Sequence, residues 1–168
     1  MAFRFTVTAA ALVWFIKPAK NQMRTLFLIS FISATLQYSL TFSGLAGLDA
    51  SATALIIQLE IPFLVIIGAI FLNETPGWRR WIGILIAFFG VYQITEEPRI
   101  GNAVGSVMMV VGGGLTWAIG QAMVRQLKDI TGLTVAAWVA VLACPQLFVM
   151  SLVFETGQIA AVQSAGWV

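Results

Sequence analysis

The sequence predicts an all-α protein, a polytopic bundle of about six helical segments that lies in a membrane. Of its 168 residues, 60% are hydrophobic and 10% are charged, whereas soluble domains carry about 25% charged residues. Long apolar stretches also alternate with short polar loops along the whole chain. A soluble domain of this size cannot bury so much apolar surface, so lipid is the expected solvent for most of the chain.

Hydropathy divides the chain into six segments, and all but the first are long enough to span a bilayer. A spanning helix needs about 20 residues. The first segment, which Lys17 and Pro18 end, rises only about 18 Å against a hydrocarbon core of about 30 Å. We therefore interpret the chain as an internal fragment of a longer protein. In order, the segments are residues 5–16, 25–45, 51–72, 78–95, 101–123 and 133–154.

The basic residues favour one orientation of the bundle. Seven of the nine Lys and Arg residues lie in the loops after the first, third and fifth segments. Cytoplasmic loops carry an excess of basic residues, so these three loops are expected on the cytoplasmic face, with Arg4 and Arg99 on the other face. All loops are too short to hold a soluble domain. The seven residues are Lys17, Lys20, Arg24, Arg79, Arg80, Arg125 and Lys128.

The composition excludes several classes of function. The chain has no His and one Cys, Cys144, so it cannot form a disulfide within itself, a His/Cys zinc site, a Ser-His-Asp triad or a Cys-His dyad. No basic run is long enough to bind nucleic acid, and no glycine-rich stretch carries the Lys-Ser/Thr pair of a phosphate loop. We expect no enzyme activity, no cofactor, no metal ion and no nucleic-acid partner.

Glu60 lies near the middle of the apolar segment 51–72, where a charged residue costs roughly 2.5–3.5 kcal/mol on insertion scales. Pro62 follows it closely and is expected to kink the helix near Gln58. Kinked helices near the bilayer midplane are where transporters hold substrates and coupling ions. Two interpretations stay open. Glu60 and Gln58 bind a substrate or a coupling ion, or Glu60 is a protonated carboxyl group that hydrogen-bonds to other helices or to carbonyls freed by the proline.

Gln37 is the third candidate, because it lies inside the second segment among several hydroxyl groups. It either lines a polar cavity or joins two helices by a hydrogen bond, which contributes about 0.6 kcal/mol in membranes. We favour the cavity for Gln37 and interhelical hydrogen bonds for the hydroxyl groups. Gln121 and Gln146 pose the same choice with less support. The hydroxyl residues are Thr35, Ser39 and Thr41.

Glycine residues recur at spacings that suit close helix packing. Gly112, Gly113 and Gly114 lie in the middle of the fifth segment. They predict a close approach of neighbouring helices to this point. A hinge in the fifth segment is the alternative interpretation.

Four short motifs follow one another along the third and fourth segments and the loop between them. They are Gln58-Leu59-Glu60, Phe71-Leu72-Asn73-Glu74, Trp81-Ile82-Gly83 and Phe89-Gly90-Val91. Their order, and the spacing of 14 residues between Glu60 and Glu74, resemble the EamA-type repeat of the drug/metabolite transporter superfamily. That repeat carries a mid-helix Glu-Pro, a helix-ending Leu-Gly-Glu, a Trp-Ile-Gly and a late Ala-Gly-Val. Two positions depart from it, since Pro62 comes one residue late and Asn73 replaces a glycine. Residues 101–118 with Arg125 resemble the start of the family's second repeat.

The resemblance implies a fold of ten helices in two inverted five-helix repeats. Residues 1–95 would be helices two to five of the first repeat, and residues 101–168 would be helices six and seven, the start of the second. It also implies a secondary-active transporter in the bacterial inner membrane that exports small organic metabolites, with amino-acid-like compounds among the possible substrates, by alternating access. The partners would then be a small-molecule substrate and the lipid bilayer. The alternative is a membrane scaffold or accessory subunit without transport activity.

Overall fold

The computed structural model describes residues 22–96, 103–127 and 130–154, which form helices and turns without a strand. The predicted all-α class is confirmed, while the predicted segment 5–16 lies outside the described residues. In chain order the helices are α1 (Met23–Leu45), α2 (Ala50–Phe71), α3 (Trp78–Thr95), α4 (Val104–Gln126) and α5 (Gly132–Phe154). Two of them are irregular: α1 joins Met23–Ser30, the π-helix Phe31–Leu36 and Gln37–Leu45, and α2 joins Ala50–Ile57 and Glu60–Phe71.

Four helices in the described part of the chain, α1, α2, α4 and α5, are long and apolar enough to cross a membrane. The exception is α3, which has 18 residues and carries two arginines, Arg79 and Arg80, in its first turn. Their charges lower the mean hydropathy of this helix. The multi-pass membrane bundle is therefore confirmed, and a spanning segment at residues 78–95 stays a prediction.

The π-helical turn of α1 is a place where side-chain hydroxyl groups compete for backbone carbonyls. The hydroxyl of Ser33 donates to the carbonyl of Ile29 at 2.6 Å, and that of Ser39 donates to the carbonyl of Thr35 at 2.7 Å. Such bonds bend helices, and single π turns occur often at functional sites.

Pro62 accounts for the interruption of α2 at Gln58 and Leu59. Because proline has no backbone N–H, the carbonyl of Gln58 cannot accept the usual bond from four residues later. It accepts instead from the amide of Ile61, three residues later, at 3.2 Å. The amides of Gln58 and Leu59 also bond three residues back. The chain thus turns more tightly here and then resumes as an α-helix at Glu60.

Helix α4 is the centre of the bundle, and α1 packs along it in the antiparallel direction. Ser33 of α1 lies against Gly120 of α4, and Gly44 lies against Val110. Residue numbers therefore rise on one helix as they fall on the other. Glycine at these contacts lets the two backbones approach closely.

Helix α2 packs on another side of α4 and runs parallel to it. Ile56 shares a buried cluster with Val110, and Ile67 shares another with Ala118. Residue numbers rise together on the two helices. The two clusters lie on either side of the interruption, so both parts of α2 are held by apolar packing.

Helices α5 and α3 complete the described bundle. Helix α5 lies parallel to α1, because Ser30 and Thr35 of α1 bond to Val139 and Gln146 of α5 in the same order. Helix α3 is peripheral, with Ile84 as its buried residue. It exposes large apolar side chains, as a helix in contact with lipid does. They are Trp78, Trp81, Ile82, Leu85, Ile86, Phe89 and Tyr92.

These directions bring the described basic residues to one end of the bundle. Arg24 lies at the start of α1, Arg79 and Arg80 at the start of α3, and Arg125 at the end of α4. A bond of 2.8 Å from Arg125 Nη1 to Glu74 Oε1 joins the ends of α4 and α2 there. We call this the basic end. It groups four of the seven basic residues that the charge pattern assigned to one face.

Candidate functional site

The candidate site lies where α1 and α2 both meet the middle of α4, at Gly113 and Gly114. A Cβ atom on Gly114 would lie 3.4 Å from the backbone nitrogen of Glu60, and one on Gly113 would lie 3.3 Å from the carbonyl oxygen of Gln37. Successive residues of a helix point about 100° apart. The two glycines therefore face α2 and α1 at the same level of α4, which brings Glu60 and Gln37 to one level of the bundle.

Glu60 is partly buried and begins the second part of α2. Within the described residues its carboxyl group makes no hydrogen bond or ion pair. In the first turn of this part, the amides of Ile61 and Phe63 donate to the carbonyls of Gln58 and Leu59, and Pro62 has no N–H. The interruption of α2 thus places a carboxyl group at a new helix start within an apolar helix.

The other two polar candidates have different surroundings. Gln37 is 6% exposed and is the first residue after the π-helical turn. Gln58 is exposed and lies in the interruption of α2. The structure therefore brings Gln37 to the level of Glu60 and leaves the side chain of Gln58 at the surface of the described bundle.

Thr41 is one of the hydroxyl residues for which the sequence favoured an interhelical hydrogen bond, and the described residues show no such bond for it. Its hydroxyl lies against Gly113 and is buried without a hydrogen-bond partner in the described part of the chain. An unpaired buried hydroxyl costs about 1–3 kcal/mol by protein mutational data. Helix periodicity carries a signal for it, since Gln37 and Thr41 are four residues apart and share one face of α1.

A second polar cluster lies between α1 and α5. Thr35 donates to Gln146 Oε1 at 2.7 Å. The hydroxyl of Ser30 lies 3.4 Å from the same oxygen and 3.5 Å from the carbonyl oxygen of Val139, and it can donate to either. Ser30 and Thr35 are almost fully buried. Gln146 thus behaves as an interhelical hydrogen-bonding residue, as does the hydroxyl of Thr35, whereas Ser39 bonds within its own helix.

The described residues contain no group of three His, Cys, Asp or Glu side chains that could hold a metal ion. The polar residues that approach Gly113 and Gly114 are Glu60, Gln37 and Thr41, which carry a carboxyl group, an amide and a hydroxyl. Such a set can bind a cation, a proton or a polar organic molecule by hydrogen bonds and charge.

Comparison with known proteins assigns the fold to a family. Residues 1–95 match the EamA-like transporter family. The chain belongs to this family. The match includes Glu60, Asn73 and Glu74, and it confirms the resemblance seen in the sequence motifs. The chain is therefore a multi-pass membrane protein of a transporter family.

Three curated relatives agree with this assignment. The chain is 22% identical over 159 residues to a probable amino-acid metabolite efflux pump of Escherichia coli, covering 90% of this chain and 53% of the relative. It is 25% identical over 165 residues to the uncharacterized transporter YoaV of Bacillus subtilis, covering 93% and 55%. An uncharacterized transporter of Archaeoglobus fulgidus is 29% identical over 91 residues, covering 52% and 33%.

The chain spans about half the length of the first two relatives. No solved structure shows a significant match to it.

Proposed function

We propose that the chain is part of a secondary-active transporter that exports small organic metabolites by alternating access. The observation that carries the proposal is the position of Glu60, a carboxyl group without a partner among the described residues, at a helix interruption beside Gly114. Transporters hold substrates and coupling ions at broken helices in this way. In the proposed whole protein, two inverted five-helix repeats in the bacterial inner membrane surround Glu60.

Glu60 is proposed to exchange a proton or to bind a cationic group of the substrate. Gln37 and the unpaired hydroxyl of Thr41 lie at the same level and offer hydrogen bonds to a polar substrate. A relative named as a probable amino-acid metabolite efflux pump supports amino-acid-like substrates. An ammonium group beside a carboxylate, with an amide and a hydroxyl nearby, would suit that class of compound.

The test is transport by the full-length protein in vesicles with an imposed pH gradient, with radiolabelled amino acids as probes. Glu60→Gln keeps the shape of the side chain and cannot release a proton, so gradient-driven accumulation should be lost while folded protein remains in the membrane. Glu96→Gln is the matched control, because Glu96 is an exposed carboxyl group after the end of α3. It should transport like the wild type.

Two results would count against the proposal. Normal pH-coupled transport by Glu60→Gln would leave Glu60 a structural role only. Absence of saturable flux in the folded wild-type protein, across a panel of amino acids and related amines, would favour a membrane scaffold or accessory subunit.

A further inference from the structure

Glu60 and the ion pair at the basic end lie along one contact between α2 and α4. Glu60 meets Gly114, Ile67 packs with Ala118, and Glu74 bonds to Arg125. We call this contact the α2–α4 seam. Glu60 and Ile67 are seven residues apart and so share one face of their helix, as do Ala118 and Arg125 on α4. The seam therefore runs from the candidate site to the basic end.

Two layers of side chains close the seam between Glu60 and the basic end. The first is apolar and contains Ile67, Ala118 and Ala122, with Phe63 and Trp117 packed against them. The second is the bond of 2.8 Å between Arg125 Nη1 and Glu74 Oε1. Ala118 is 0% exposed, so water does not reach the seam from this end in the structure.

The chain positions Glu74 for this bond by a sharp turn after α2. Asn73 has a φ of 52°, a left-handed conformation in which Asn is tolerated better than most residues. The amide of Glu74 then donates to the carbonyl of Gly68 at 3.1 Å. Its carboxyl group lies over Gly68, where an added Cβ would come within 2.8 Å of Oε2. A glycine at this position leaves the space that the carboxylate occupies.

We propose that the Glu74–Arg125 ion pair is a gate that holds the basic end of the α2–α4 seam closed and breaks when that end opens. This inference rests on the proposed function, because alternating access requires one half of the transporter to move against the other. Glu74 lies within residues 1–95 and Arg125 lies beyond them, so the bond joins the two predicted repeats. Both side chains are more than 40% exposed. Water can replace such a bond at small cost, which suits a contact that must break repeatedly.

The test measures how fast a cysteine at position 118 reacts with a hydrophilic maleimide. The full-length protein would carry Cys144→Ala and Ala118→Cys, in membranes permeabilised so that the reagent reaches both faces. Reaction should be slow while the gate is closed. Glu74→Gln and Arg125→Gln should each raise the rate about two- to fivefold, the range that an exposed ion pair can shift an equilibrium. The double variant should react no faster than either single variant, because both substitutions break one bond.

Two further variants test whether the rate depends on the Glu74–Arg125 bond itself. Arg80→Gln removes a positive charge from the same end, and Arg80 has no ion pair in the described residues, so the rate should not change. Gly68→Ala keeps both charges but displaces the Glu74 carboxylate, so it should raise the rate as Glu74→Gln does. Gly68→Ala also tests the ion pair if the Gln variants reach the membrane in low amounts.

Three outcomes would overturn the gate: unchanged rates in all variants of the pair, additive effects in the double variant, or an equal acceleration by Arg80→Gln. Labelling needs no substrate, so it is independent of the transport assay. Transport without a labelling response would overturn the gate and leave the proposed function. A labelling response in a protein without transport would support the opening of this contact and overturn the proposed function.

Discussion

Thr35 donates a hydrogen bond of 2.7 Å to Oε1 of Gln146 and so joins the π-helical turn of α1 to α5. Both partners lie within apolar helices, where water is not available as a substitute partner. The same oxygen lies 3.4 Å from the hydroxyl of Ser30, while Nε2 of Gln146 is buried without a partner in the described residues. This single amide oxygen can therefore accept hydrogen bonds from two hydroxyl groups of α1.

Thr35→Val should lower the stability of the folded protein by about 1 kcal/mol, because the isosteric change removes the donor to Gln146. Thermal unfolding of the purified protein in detergent measures it. Ser39→Ala is the matched control, since Ser39 bonds only to the carbonyl of Thr35 in its own helix. Equal losses in the two variants would contradict an interhelical role for Thr35.

Gly44→Ala should destabilise the protein by about 1–3 kcal/mol, the usual cost of overpacking. The new Cβ would lie 2.7 Å from the carbonyl oxygen of Ser106 and 2.6 Å from Cγ2 of Val110, so α1 and α4 would have to separate. Gly83→Ala in α3 is the control, because nothing lies within 4 Å of its Cβ position. Thermal unfolding in detergent should show a loss for Gly44→Ala only.

Asn73→Gly should keep or slightly raise stability, whereas Asn73→Val should lower it by about 1–2 kcal/mol. The reason is the left-handed backbone at this residue, with a φ of 52°, which crowds Cβ and penalises a branched side chain. The measurement is thermal unfolding of both variants. A stable Val variant would show that the turn before Glu74 is not held in this conformation.

Thr41→Val separates a structural from a substrate-binding role for the unpaired hydroxyl. If the hydroxyl only fills space, its removal should leave transport unchanged and raise stability by up to about 1–3 kcal/mol. We expect the stability gain together with weaker transport, because Thr41 lies at the same level of the bundle as Glu60. The weaker transport should appear as a raised KM for the amino-acid probe. An unchanged KM would remove Thr41 from the proposed site.

The basic end should face the cytoplasm. The expectation rests on the excess of basic residues in its loops. With Cys144 replaced by Ala, Asn73→Cys should be protected from an impermeant thiol reagent in intact cells, and Asp49→Cys, at the opposite end of α2, should be labelled. Both positions are exposed. Labelling of Asn73→Cys from outside would invert the orientation.

Apolar length was enough to predict where most helices lie. The predicted segment 51–72 corresponds to Ala50–Phe71, and 133–154 corresponds to Gly132–Phe154. Helix α4 begins and ends three residues later than the predicted 101–123. The interruption next to Pro62 could also be predicted from the local sequence. The N–H that proline lacks affects only backbone hydrogen bonds within one turn.

Contacts between residues that are far apart in the sequence could not be predicted in the same way. The contact of the π-helical turn with Gln146 joins residues 111 positions apart. The sequence predicted close helix packing at Gly113 and Gly114. Hydropathy does not say, however, that Gln37 and Glu60 are the residues that these glycines contact. Gln58 and Glu60 are neighbours in the sequence, yet only their packing decides that one is exposed and the other partly buried.

The partners of α1 have a consequence for how the protein is made. Ser30 precedes Gln146 by 116 residues, which corresponds to about 6–23 s of synthesis at about 5–20 residues per second. During that interval α1 has already left the ribosome, but its buried hydroxyl groups still lack the helix that satisfies them. We therefore expect the half-finished bundle to depend on a translocon or an insertase, and truncated translation products that end before α5 to be substrates for membrane proteases.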